Sequence, residues 1–165
     1  MVMRDVGLTR GGFYNHFKNK EALHSEAVSS FLGGRGAEWR DEMGVKAAQS
    51  AEEMTQRMIK GYLSVEHLGD LDAQCPMIAL PSDVARANTE VKDAYQTLLL
   101  AMVSIFEAGV AGPKKGGKKA SRQKALSLAA LCVGGMVLAR TLPESDLAEE
   151  VREAAYITAN KMGAE

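Results

Sequence analysis

Val6-Gly7-Leu8-Thr9-Arg10-Gly11-Gly12-Phe13-Tyr14-Asn15-His16-Phe17-Lys18-Asn19-Lys20-Glu21-Ala22-Leu23 is the stretch on which the fold turns. Gly7 ends one helix and permits a sharp turn, Leu8 is an apolar pin, and the Thr9 hydroxyl suits a helix cap. Phe13 and Phe17 stand four apart and are expected to face a core. Arg10, Tyr14 and His16 then lie on the opposite face. A helix, a glycine turn and a short helix with polar and aromatic residues outward make a helix-turn-helix pattern. A glycine between two helices also occurs in any helical bundle.

Outward from this stretch the chain reads as helical. Of its 165 residues, 46% are hydrophobic, 25% charged and only 5% aromatic, a globular composition poor in strand formers. Four prolines, at 76, 81, 113 and 143, fall mostly where helical patterns start or stop. About eight helices are expected. The first is the tail ending at Gly7, followed by a short helix from Thr9 to about Phe17. A third starts after Asn19 and is interrupted near Gly33, Gly34 and Gly36. Ser50 caps a helix to about Leu68 carrying Met54, Met58, Tyr62 and Val65 on one face. Cys75-Pro76 opens a helix to about Ala87, and Thr89 begins a long one to Gly109 or Gly112. Residues 112–119 are expected as a loop, with helices from Ser121 to about Leu142 and after Pro143-Glu144.

A formal charge of −1 gives no chain-wide basic field, so any nucleic-acid contact must be local. Two cysteines are too few for a disulfide scaffold, and nothing resembles a secretory signal, so a cytoplasmic location is expected. The longest apolar run, Ala125 to Ala139, is shorter than the roughly 20 residues a membrane span needs. There is no Gly-x-Ser-x-Gly, no phosphate-binding glycine loop and no His-carboxylate pair, so an enzyme is not expected. His16, His24 and His67 with the two cysteines show no metal-ligand spacing, and neither metal nor cofactor is expected.

The string from Val6 to Leu23 closely resembles the second half of the helix-turn-helix of TetR/AcrR-family transcriptional regulators. The shared pattern is a Gly-hydrophobic-Ser/Thr turn, an aromatic pair on the recognition helix, then Phe-x-x-Lys-Glu-x-Leu. Cys75-Pro76-Met77, followed by Asp83 and Arg86, is a weaker likeness to the ligand-binding part of many members. The family carries a full helix and most of a second ahead of this motif, whereas five residues precede Val6 here. A DNA-binding unit lacking that first helix is expected to be loose. The resemblance implies a helix-turn-helix unit and connecting helix over residues 1–45 and a ligand-binding and dimerisation domain over 46–165.

It further implies that Thr9 and Lys20 touch phosphate, as Tyr14 does, while Arg10, Gly11 and Gly12 open the recognition helix where base edges are reached. Asn15 and His16 complete the expected DNA-facing set. Met54, Met58, Tyr62, Met77, Met102 and Phe106 suit the adaptable lining of a small-molecule pocket. Plain core packing would account for the same residues, and the resemblance is what favours a pocket. Cys75, before a proline at a helix start, is weighed as a thiol sensor against a buried structural cysteine. The basic run Lys114, Lys115, Lys118, Lys119, Arg122 and Lys124 reads as a solvated loop.

Helix 121–142 is apolar nearly all round and must be covered on more than one side. Leu128, Leu131, Cys132, Gly135 and Met136, with Leu147, Val151 and Ala154 of the last helix, are expected to form a two-fold homodimer interface. A central core helix of a monomer is the alternative. The expected function is a one-component repressor released from double-stranded operator DNA by a small molecule. A helical homodimer that binds no DNA is the other reading.

Overall fold

The computed structural model describes residues 10–70, 74–111, 117–143 and 145–164, and every regular element in them is helical. The described residues form α1 (Arg10–His16), α2 (Lys20–Gly33), α3 (Arg35–Glu42), α4 (Ala51–Tyr62), α5 (Val65–Gly69), α6 (Pro76–Ala79), α7 (Pro81–Arg86), α8 (Thr89–Val110), α9 (Gly117–Thr141) and α10 (Asp146–Ala164). The expected helix ending at Gly7 and the Thr9 cap lie outside the described residues.

Local chemistry sets most of these starts. Asn19 Oδ1 accepts from the Ala22 N–H at 2.8 Å, and Ser50 Oγ from the Glu53 N–H at 3.1 Å. Asn88 caps α8 through the Val91 N–H at 3.1 Å. Pro76 and Pro81 occupy the first helical positions of α6 and α7, where a missing N–H costs nothing. The glycine-rich stretch does break α2 from α3, at Gly34.

Three expected boundaries are corrected. The helix expected from Ser50 to Leu68 stops at Tyr62 and restarts at Val65, with Ser64 Oγ capping the new turn through the His67 N–H at 3.0 Å. The helix expected from Cys75 to Ala87 is two short ones meeting at Leu80. The loop expected to Lys119 ends earlier, since α9 begins at Gly117, whose φ of +78° suits a residue without Cβ.

α8 is the hub, with α2, α4 and α9 packed along it; α10 lies against α9 and α4. α4 and α8 approach closely at Gly109, where a Cβ would stand 2.1 Å from Thr55 Oγ1 and 2.6 Å from the Ala51 carbonyl oxygen. Thr55 Oγ1 in turn donates to the Ile105 carbonyl at 3.2 Å, tying the two helices together. Arg152, only 7% exposed, donates from Nη1 to the Leu63 carbonyl at 2.5 Å and from Nε to Glu149 at 3.0 Å. It thereby satisfies a carbonyl left free where α4 ends.

One core runs through the chain: Val28 and Val45 belong to it together with Ile59, Leu63, Phe106, Leu128 and Met136. It therefore crosses residue 45, the boundary expected between two domains. At 25 residues, α9 is long and apolar enough to cross a membrane by length and composition. Here it packs as a core helix against α8, α10 and α6.

Candidate functional site

A cavity of about 170 Å³ lies where α2, α3, α4, α5 and α8 converge. Phe31 and Leu32 from the end of α2, with Gly36, Trp39 and Arg40 from α3, form one wall. Met58 and Tyr62 of α4 and His67 of α5 form a second, Cys75 and Met77 a third, and Leu98, Ala101, Met102 and Ile105 of α8 the floor. Glycine at position 36 is needed here, because a Cβ would lie 2.7 Å from the Phe31 ring.

The polar groups in these walls are nearly all occupied. Arg40 Nη2 donates to the Leu32 carbonyl at 2.6 Å, placing a cation at the C-terminal end of α2. The Tyr62 hydroxyl donates to Cys75 Sγ at 3.5 Å. Burial raises the Tyr62 phenol well above its ordinary range, and the neighbouring Cys75 adds to this. Burial also pushes the Cys75 thiol up, which disfavours the thiolate a sensor needs. Cys132, buried on α9, is pushed up to about 12 for the same reason.

His67 is the exception. It is 7% exposed, yet neither imidazole nitrogen has a hydrogen-bond partner. Its ring is held 5.1 Å from the Trp39 ring and 5.1 Å from that of Tyr62. Burial first, then the charge of Arg140, lowers its pKa to about 4, so the imidazole is neutral at pH 7. Arg140, from α9, spends Nη2 on the carbonyls of His67 at 2.7 Å and Leu68 at 2.9 Å, closing the end of α5.

Of the six residues expected to line a pocket, Met58, Tyr62, Met77 and Met102 do. Two are corrected. Phe106 is fully buried in the core behind the cavity, and Met54 is half-buried against that core. The sequence reading missed Trp39, His67, Leu98 and Ile105. A stripe drawn along one helix cannot show what a second helix turns toward it.

The expected DNA-facing residues sit at the other end of α2. Gly12, Tyr14, Asn15 and His16 lie on α1, with Arg10 and Gly11 at its start; Thr9 is outside the described residues. Tyr14 is 61% exposed, and Asn15, His16 and Lys20 are exposed as well. Phe13 and Phe17, expected in the core, are instead half-buried and packed on each other at 5.6 Å. Neither belongs to the main core.

The expected dimer residues divide. Leu131 and Val151 are half-buried, while Leu147 and Ala154 are exposed. Leu128, Cys132 and Met136 are 0% exposed and Gly135 is buried, so these four are corrected to the chain's own core. Gly135 serves close approach within the chain: a Cβ there would lie 2.5 Å from that of Ala155 on α10. Lys118 and Lys119 are exposed in the first turn of α9, and Arg122 pairs with Glu107 at 3.1 Å. Among the described residues, no three His, Cys, Asp or Glu side chains gather as a metal site would require. No protein-family model matches the chain, and no curated protein sequence matches it.

Proposed function

We propose that this chain is a TetR-like one-component repressor whose hold on duplex DNA is relieved by a small molecule in the cavity. One observation carries the reading: the helix that follows α1 ends as a wall of the cavity. A ligand that pushes on Phe31, Leu32 or Trp39 pushes on α2 and α3, and α2 leads directly back to α1. For this to act as a switch, the ligand must bind the two positions of α2 with different affinity. The exposed side chains of Tyr14, Asn15, His16 and Lys20 supply the DNA-facing surface in this reading. Two such surfaces in a homodimer would meet two half-sites.

The test is selection of bound sequences from random duplex DNA by the full chain at low salt, followed by titration at two salt concentrations. The expected result is enrichment of a two-fold symmetric site and an affinity that falls steeply with salt. Lys20→Glu should weaken all duplexes alike. Retention of no duplex at low salt would sink the repressor reading. The homodimer that binds no DNA is supported by a groove between α9 and α10 lined by Ala130, Leu131, Gly134, Leu138, Val151, Ala154 and Thr158, none of them charged, and would then be preferred.

A further inference from the structure

We propose that the cavity takes a one-ring aromatic molecule bearing a hydroxyl, its ring in the apolar walls and its hydroxyl hydrogen-bonded to His67. This rests on reading the cavity as the effector site of the repressor and names the class of ligand it admits.

Size comes first. At about 170 Å³ the space is close to that of an apolar cavity of about 150 Å³, which takes benzene and stays dry without it. The walls select next. Phe31, Leu98 and Ile105 are apolar, and Met58, Met77 and Met102 bring three polarizable sulfurs suited to an aromatic ring.

Polarity then narrows the choice. A buried polar group without a partner is costly and uncommon in folded proteins. His67 has two such nitrogens, both sealed from water, so the imidazole must turn to present one to the cavity; Tyr62 already donates to Cys75 and Arg40 Nη2 to Leu32. A neutral imidazole offers one acceptor nitrogen, and a phenolic hydroxyl is a good donor to it. A carboxylate fits less well, because it must be stripped of water and needs a cation in contact. Arg40, the cation in the wall, already donates Nη2 to the Leu32 carbonyl, and Arg140, whose Nε and Nη1 are buried without a partner, is not a wall of the cavity.

Calorimetric titration of the full chain with phenol, toluene and benzoate tests this, with the His67 imidazole resonances followed by NMR. Phenol should bind about tenfold more tightly than toluene, the effect of one hydrogen bond made in an apolar site. Both rings should move the His67 proton resonances, but only phenol should move an imidazole nitrogen resonance in the direction that accepting a hydrogen bond gives. In His67→Phe the preference for phenol should vanish while toluene still binds, which doubles as the control for folding. Equal binding of phenol and toluene by the native chain, tightest binding of benzoate, or binding of none of the three would each overturn the proposal. These native-chain readings stand even if the variant fails to fold. DNA release is measured separately on the selected duplex. Phenol bound without release sinks the switch alone, and duplex binding without phenol binding sinks the ligand class alone.

Discussion

His67 is buried with nothing to bond to, and its titration should therefore be visible in the stability of the whole chain. Burial and the Arg140 charge, opposed by Asp70 and aided by Arg35, hold its pKa at about 4 against 6.5 in an unfolded chain. Above pH 6.5 the imidazole is neutral in both states and contributes no pH dependence. Between 6.5 and about 4 the unfolded chain takes up a proton that the folded chain refuses, so stability falls as pH falls. The expected loss is about 2 kcal/mol between pH 7 and pH 5. Glu53, lowered by the Gln49 N–H and Arg57, and Glu149, lowered by Arg152, act in another window: their contribution fades only as pH drops toward 4.5 and below. Urea unfolding at pH 7 and pH 5 should show the loss in the native chain, and His67→Phe should flatten it. Identical slopes in the two proteins would show that His67 is not the group responsible. At this scale the sequence was a good guide to caps and a poor one to His67. Asn19 and Ser50 act on N–H groups three residues away, so the reading needs no tertiary structure. The isolation of His67 depends on Trp39, Tyr62 and Arg140, which come from three other helices.

At the level of elements, the crossing of α4 and α8 should be the least tolerant of change. A Cβ at position 109 would meet Thr55 Oγ1 at 2.1 Å and the Ala51 carbonyl oxygen at 2.6 Å. Gly109→Ala gains about 1 kcal/mol of helix propensity but must force the two helices apart, which commonly costs 1–3 kcal/mol or more. A net loss is expected, read as a lower urea midpoint. Adding Thr55→Ala should rescue only part of it, because the Ala51 backbone remains in the way. A Gly109→Ala chain as stable as the native one would mean that the helices do not cross this closely. Helices were legible here as periodic stripes, but their internal breaks were not. Val65 continues the stripe of Met54, Met58 and Tyr62 in sequence, yet it is 57% exposed because the backbone turns at Leu63-Ser64 and restarts in a new phase. The serine that caps α5 looks, in one dimension, like any polar residue inside a longer helix.

For the molecule as a whole, an apolar surface without a partner among the described residues is the face shared by α9 and α10. Ala130, Leu131, Gly134 and Leu138 line a groove there with Val151, Ala154 and Thr158, and no charged residue is among them. Leu138 is 57% exposed, and Leu147 and Ile157 on α10 are 53% and 58% exposed. The sequence showed that α9 is apolar nearly all round but could not say which side meets its own chain. That is why the sequence points to Leu128, Cys132 and Met136 as interface residues, although they are buried within the chain and Leu138 is exposed. We propose a second copy of the chain as its occupant: large side chains flank the small residues Ala130, Gly134 and Ala154 on both helices, so the face can pack against itself about a two-fold axis. An uncharged face also offers nothing to a partner chosen by charge. We expect a homodimer burying on the order of 2,000 Å² in total. Sedimentation at micromolar concentration should give twice the chain mass. Leu138→Glu with Leu147→Glu should halve it and leave the helical circular-dichroism signal intact, since both side chains are exposed. Leu128→Glu should instead unfold the chain, because that position is 0% exposed within it. A native chain that sediments at its single-chain mass, or a double variant that stays at twice that mass, would rule this face out as the dimer contact.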